Sequence, residues 1–353
     1  MTAQARGILK PKSLVCIFLA LCFAFLFACD GDSDDGGEKT YGGGNYKDFF
    51  EYSDGFSVNY LSVGNGDAIF INFGDGKTML IDCAEKNDLN YKTITRYLDA
   101  YAKDGIDYLV LTHPDSDHTG NAADIIENYA VKTAYIPDLS SPENFVTYYK
   151  AYEKVMSKAS AGETEVKYSS VCKGGFGEDY YFIMLSPNKK GTTDSAYDGI
   201  NKTENPSETA RNDLSPIIYL EYKGVRFVFT GDAGFTQEKI ALANCDEIGI
   251  VDQFLKAKGK TPVNLYDIDF LKVSHHGADD ASGEEFLRVL APTNAVISVG
   301  GDNIYGHPHK ATMGRLNAAN ENCNFYLTSV EGTVSVFVDD DGKVAVKTAK
   351  NAA

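Results

Sequence analysis

Between His113 and His118 the sequence reads HPDSDH, two histidines and two aspartates in six positions of a 353-residue chain that has only six histidines. Imidazole and carboxylate together suit zinc, manganese or iron. The residues just before, Tyr108 to Thr112, are apolar or β-branched and read as a buried strand. Pro114 breaks the chain directly after His113. Gly120 and Asn121 lead into AADIIENYA, a short amphipathic helix. The cluster therefore occupies a tight loop at a strand end, where α/β proteins gather ligand-binding groups.

Three more pieces have the same character: Asp82 in LIDCA, Asp232 in FTGDAG and His275–His276 in KVSHHGA, each after an apolar run. Singly they are ordinary. A strand-end aspartate is most often a turn or cap residue, and a histidine pair most often polar surface. Together they can build a dinuclear site. A carboxylate can bridge two cations, and two metals about 3.5–4 Å apart can clamp both oxygens of a displacement while acidifying the attacking water. Several acids in one pocket would repel one another without a cation.

The elements that must position these residues alternate along the chain. FSVNYLSVG and DAIFINF are strands turning at Gly64–Gly66, and KTMLIDCA is entered through Gly74–Asp75–Gly76. DLNYKTITRYLDAYAKDG is helical, with Gly105 as the expected C-cap. Residues 141–159 read as a helix with Ser141 as N-cap and Pro142 in its first position. EDYYFIMLSP is a strand. The polar stretch 188–213 reads as a long loop, a lid or unordered. SPIIYLEYKGVRFVFTGDAG is a hairpin turning at Lys223–Gly224. Beyond the histidine pair, SGEEFLRVLAP is a helix, NAVISVG a strand, YGHPHKATMGRLNAA leads into a helix, and strands close the chain. Strand–helix alternation without tandem repeats indicates one α/β domain over residues 47–353.

The motifs VGNGDAIFI, MLIDCA, LTHPDSDHTGN, RNDLSPIIYL, FTGDA, LKVSHHGA, EEFL and YGHPHK, spread from Phe56 to Lys347, resemble in order the metallo-β-lactamase superfamily, in its branch of ComEC-like and phosphorylcholine-esterase-like hydrolases. The resemblance implies a four-layer αββα sandwich with the site at strand ends between two sheets. The superfamily signature His-x-His-x-Asp-His stands here as His113-x-Asp115-x-Asp117-His118. On that pattern His113 and Asp115 hold one metal, Asp117 and His118 the other, and Asp232 bridges. One member of the histidine pair completes the second metal, with His276 as the ligand and His275, like Asp117, as a catalytic group; the sequence leaves the choice within the pair open. The middle histidine of the superfamily is missing, and Asn212–Asp213 stand roughly in its place. Asp82 matches an aspartate that supports the ligands from behind. His307 faces the cleft to contact phosphate or carry a proton, or else belongs to a capped turn before a helix. The branch often has glycine where Ala84 stands and serine where Ala278 stands. The implied cofactors are two divalent ions, zinc first and manganese as the alternative.

The first 28 residues differ from the rest. Arg6, Lys10 and Lys12 precede an unbroken apolar run of 15 residues, Leu14 to Ala28, short of the roughly 20 that a membrane span needs and matched to a signal-peptide core. LFAC at 26–29 resembles a bacterial lipobox, which implies a lipidated Cys29; a plain signal peptide or an uncleaved anchor is the alternative. Residues 29–46 are acidic and glycine-rich, a flexible tether. Losing residues 1–28 removes three positive charges from a net of −17 and leaves −20. Such a surface repels nucleic acid and anionic lipid except at a local cationic patch or bound metal. Cys83, Cys172, Cys245 and Cys323 remain, and the sequence does not choose among their three pairings. The expected protein is an exported, lipid-anchored metal hydrolase of the cell envelope. Its substrate is a phosphoester in a small molecule or envelope component, with long nucleic acid disfavoured. A ComEC-like DNA nuclease and a non-catalytic binding lipoprotein on the same scaffold are the alternatives.

Overall fold

The computed structural model describes residues 50–349 apart from 204, 247 and 302; the expected signal segment and tether lie outside the described residues. Strands β1 (Phe56–Tyr60), β2 (Ile69–Asn72), β3 (Thr78–Ile81), β4 (Ile106–Val110), β5 (Val131–Ile136) and β6 (Glu165–Tyr168) belong to a first sheet. Strands β7 (Gly174–Phe176), β8 (Tyr180–Ser186), β9 (Ile217–Tyr222), β10 (Val225–Phe229), β11 (Phe270–Lys272), β12 (Asn294–Ile297) and β13 (Asn324–Leu327) form a second. The chain then returns to the first sheet with β14 (Val334–Val338) and β15 (Val344–Thr348), giving the orders β15-β14-β1-β2-β3-β4-β5-β6 and β13-β12-β11-β10-β9-β8-β7. Each sheet is antiparallel on one side and parallel on the other. The parallel pairs are β3–β4–β5–β6 and β10–β11–β12–β13, and such pairs need crossovers, mostly helical.

Side-chain alternation sorts these strands into layers. Ile69, Ile71, Met79, Ile81 and Val110 from the first sheet meet Phe182, Met184, Leu220, Phe227 and Phe229 from the second in one core. Phe56 stacks on Tyr222, and Phe73 on Tyr180, at 4.0 Å between ring centres. The intervening residues Phe70, Leu80 and Leu109 face outward onto helices Asp88–Tyr101, Ala122–Asn128 and Val146–Ser160. Tyr181, Ile183, Val228 and Leu271 likewise face helices Phe235–Asn244, Ile250–Ala257, Glu284–Leu290 and Lys310–Ala319. The result is the four-layer αββα arrangement.

Three local expectations are corrected. The first long helix stops at Tyr101 with Ala102 as its cap, and Gly105 instead turns the chain toward β4 with φ +100°. Ser141 and Pro142 start a 3₁₀ turn, Pro142–Asn144, and the α-helix begins only at Val146. The stretch 188–213 contains two short helices, Ala196–Ile200 and Glu208–Asn212. The first is seated by Tyr197 and Ile200, which bury with Leu214 in a cluster of their own. Cys83, Cys172, Cys245 and Cys323 are unbridged. No helix among the described residues is long and apolar enough to cross a membrane.

Candidate metal centre

The parallel strands converge on one end of the sandwich. Asp82 follows β3, His113 follows β4, Asp232 follows β10, and His275–His276 follow β11 in the turn Ser274–Gly277. Ligand sites of α/β folds form at such carboxyl ends. The backbone is forced locally: Asp82, Ala84, His275 and His276 have φ between +47° and +58°, conformations that non-glycine residues adopt at a cost and that concentrate at functional sites. Asp117 and His118 ride on the one-turn helix Ser116–Thr119. A side chain at Gly66 would stand 2.1 Å from the Asp117 carbonyl oxygen, so the β1–β2 turn can close on the metal loop only with glycine there.

Four donors form a cage. His118 Nε2 lies 3.3 Å from His276 Nε2 and 3.3 Å from Asp232 Oδ2. His276 Nε2 lies 3.4 Å from the same Asp232 oxygen and 3.6 Å from Asp117 Oδ2, which is 3.8 Å from His118 Nε2. Donors held about 2.0–2.1 Å from a tetrahedral zinc stand roughly 3.3 Å from one another, so these residues fit a divalent ion. The outer ring nitrogens fix the tautomers. His276 Nδ1 faces the Ser298 carbonyl oxygen at 2.9 Å and His118 Nδ1 faces Asp82 Oδ2 at 2.7 Å. Both partners only accept, so each Nδ1 holds its proton, and each Nε2 is the nitrogen that points into the cage and gives up its proton when it takes a metal. Burial opposes the charges inside, but the surrounding carboxylates raise His118, and His276 to about 9, while the imidazoles hold Asp232 well below the usual carboxylate range.

His113 lies beside the cage, its Nε2 4.0 Å from Asp232 Oδ2 and without a hydrogen-bond partner. Burial, reinforced by the neighbouring His118, lowers its pKa, which favours the neutral ligand form. Asp115 stands near enough for its charge to act on His113, but its carboxylate is engaged elsewhere. Arg211, 96 residues away, clamps it with two bonds, Nε to Oδ1 at 2.5 Å and Nη2 to Oδ2 at 3.0 Å. Asn212 comes within 3.4 Å of His275 Nε2. Asp213 lies behind the Asp232 segment, accepting from Gly234 N at 3.3 Å, and burial pushes its carboxyl up to about 6. His275 turns its Nδ1 to Asp280 at 2.9 Å and its Nε2 toward Asp232 Oδ2 at 3.9 Å. His307 lines the same cleft, its ring centre 5.7 Å from that of His275 and 6.5 Å from that of His276; burial and those two rings lower its pKa to about 4.

Sequence reasoning missed two buried partners. Lys272 is fully buried, its Nζ 2.5 Å from Asp67 Oδ2, 3.1 Å from the Gly231 carbonyl oxygen and 3.8 Å from Asp232 Oδ1. Asp67 has a second oxygen with no hydrogen-bond partner, as has Asp232. Asp67 groups with Asp232 and His276, and with Asp82 and His118, in metal-competent triads. A lysine inside the apolar run DFLKV was the available signal, since a lysine is almost never fully buried unless paired.

Asp82 accepts from Thr112 N at 2.8 Å, Thr112 Oγ1 at 2.7 Å and His118 Nδ1. Asp82→Asn keeps the shape but weakens the hold on the His118 tautomer. It is expected to lower metal affinity by about 10–100-fold with an unchanged circular-dichroism spectrum. Chelator competition reads this, and unchanged affinity would remove Asp82 from the supporting role.

Residues 61–194 match the family model described as the metallo-beta-lactamase superfamily. The chain is 29% identical over 275 residues to ComE operon protein 3 of Bacillus subtilis (strain 168), covering 72% of this chain and 30% of that protein. It is 26% identical over 280 residues to Recombination protein 2 of Haemophilus influenzae, covering 79% of this chain and 28% of that one. The chain thus spans less than a third of the length of either relative. Among solved structures it is similar to the metallo-beta-lactamase fold protein YhfI from Bacillus subtilis, with 9% identity, a TM-score of 0.44, and coverage of 83% of this chain and 100% of the other.

Proposed function

Because the chain has the metallo-β-lactamase fold and is homologous to ComEC-like proteins, we propose that it is a metal-dependent hydrolase of phosphoester bonds, acting on a small phosphodiester at the cell envelope. The observation that carries this reading is the cage of Asp117, His118, Asp232 and His276 opening onto a cavity of about 940 Å³. The donors suit one divalent ion in the cage and a second, more weakly held, between His113 and Asp232; zinc is the first choice for both. Such ions supply Lewis acidity, polarising a phosphoryl oxygen and lowering the pKa of water.

The residues of the chain divide the remaining work. Asp280 orients His275 so that Nε2 lies beside the cage, placed to give a proton to the departing ester oxygen. Arg211 spends three of its five N–H donors on Asp115 and the Pro206 carbonyl oxygen, which leaves two for a phosphoryl oxygen. With its lowered pKa, His307 is neutral at pH 7 and offers a hydrogen bond rather than a charge.

The wall of the cavity favours a small substrate over DNA. Arg211 is the one lysine or arginine in it among the described residues, against Glu85, Asp115, Asp117, Glu208 and Asp232. Duplex DNA carries one negative charge per roughly 1.7 Å and is held by basic residues that neutralise several phosphates. The ComEC-like nuclease is the second reading, supported by the homology. With metal-loaded protein, bis(p-nitrophenyl) phosphate or a phosphocholine ester should be cleaved faster than single-stranded DNA, and His118→Ala should abolish the activity. DNA degraded far more efficiently establishes the nuclease; turnover of none leaves a binding protein.

Export and lipid anchoring belong to the same proposal. The apolar run ending at Ala28 and the tether behind it support lipidation at Cys29. Fatty-acid labelling should mark the wild type and spare Cys29→Ser; equal labelling of both contradicts the anchor.

A further inference from the structure

Ile304, Tyr305 and Val146 are 89%, 64% and 70% exposed, among the most exposed large apolar side chains of the described residues, and all three line the mouth of the cavity that holds the cage. Single exposed apolar residues are ordinary, but several gathered on the rim of a polar cleft mark a binding surface. They come from two separate segments. Val146 opens the helix Val146–Ser160, and the other two sit in the loop between β12 and the helix Lys310–Ala319.

That loop is built rather than slack. Asn303 Nδ2 donates to the carbonyl oxygens of Gly300 at 3.1 Å and His307 at 3.0 Å, while Asn303 Oδ1 accepts from His307 N at 2.8 Å. His309 Nε2 reaches the Tyr305 carbonyl oxygen at 3.1 Å. The Tyr305 ring stacks on His307 with centres 5.7 Å apart and planes 23° apart, and His307 lies 24° from the plane of His276. Tyr305 is thus backed by a ring that leads to the cage, and it remains exposed enough to meet a guest.

We infer that the rim formed by Tyr305, Ile304 and Val146 is a subsite for an aromatic ester group of the substrate, so that the phosphodiester taken by this site carries one phosphate charge and at least one aromatic substituent. The inference rests on the phosphoester reading and narrows it. The acidic wall disfavours a substrate with several phosphates, and a cavity of this size takes a small molecule. A flat ring gains from offset stacking on tyrosine beyond what an alkyl chain of similar area gains.

Calorimetric binding to the metal-loaded protein, read before hydrolysis is measurable, tests the subsite separately from turnover, using diphenyl, dibutyl and dimethyl phosphate as probes. Diphenyl phosphate should bind about tenfold tighter than dimethyl phosphate, in line with stacking of one ring on an aromatic side chain, and tighter than dibutyl phosphate. Tyr305→Ala should remove most of that preference and Tyr305→Phe should keep it. Equal affinities for diphenyl and dibutyl phosphate, a preference that survives Tyr305→Ala, or no binding of any probe would overturn the inference. The two readings separate cleanly. A ring preference without hydrolysis of any phosphoester keeps the subsite and removes the enzyme, and hydrolysis without a ring preference does the reverse.

Discussion

Replacing Asp232 by alanine is expected to strip the protein of most of its divalent metal, beyond the roughly 10–100-fold that loss of an outer hydrogen-bond partner costs. Among the described residues Asp232 Oδ2 is the one carboxylate oxygen that reaches four imidazoles, at 3.3 Å from His118, 3.4 Å from His276, 3.9 Å from His275 and 4.0 Å from His113. Any ion in the cage, and any second ion beside it, would share this side chain. Asp115→Ala should cost far less, because Asp115 is committed to Arg211 in two hydrogen bonds. Chelator competition on the two variants decides the point. Equal losses would mean that Asp115 leaves Arg211 to become a ligand of full weight, and that Asp232 is no bridge.

Lys272→Met is expected to destabilise the fold by about 3–5 kcal/mol, the range for breaking a buried ion pair by removing one partner. Lys272 is fully buried, and Asp67 is 1% exposed. Burial opposes the ammonium charge, but Asp67 and Asp232 raise the lysine pKa above its ordinary value. Methionine fills the space and leaves Asp67, Asp82 and Asp232 crowded with no fixed cation. Divalent metal bound by the cage would restore part of the loss, since it supplies positive charge to the same acids and binds the native state alone. Urea unfolding with and without zinc measures both effects. A loss under 1 kcal/mol would mean that Asp67 and Lys272 are not a structural pair.

The parts of the site that the sequence exposed are those coded by short-range pattern. A β-branched run, a proline and a charged cluster place His113, Asp117 and His118 at a strand end, and the same logic finds Asp232 and the pair His275–His276. The structure brings all of them to one point because they follow parallel strands, β4, β10 and β11. What remained hidden depends on distant partners. The orientation of Asp115 is set by Arg211 on a short helix in the segment that read as a loop. The role of Asp67 is set by Lys272, and that of Asp280 by the left-handed turn at His275, φ +47°. Ala84 sits at φ +56°, which accounts for the glycine common at that position in the branch the sequence resembles. The expected helix start at Pro142 and stop at Gly105 missed the observed ends, Val146 and Tyr101, because capping residues mark several acceptable ends about one turn apart.

The metal content of the wild-type protein, purified without chelator and measured by elemental analysis, bears most directly on the site described here. The cage and the flanking His113 call for about two divalent ions per chain when zinc is in excess, one of which should survive dialysis. A content near zero that neither zinc nor manganese restores would contradict the assignment of Asp117, His118, Asp232 and His276 as ligands, and with it the hydrolase.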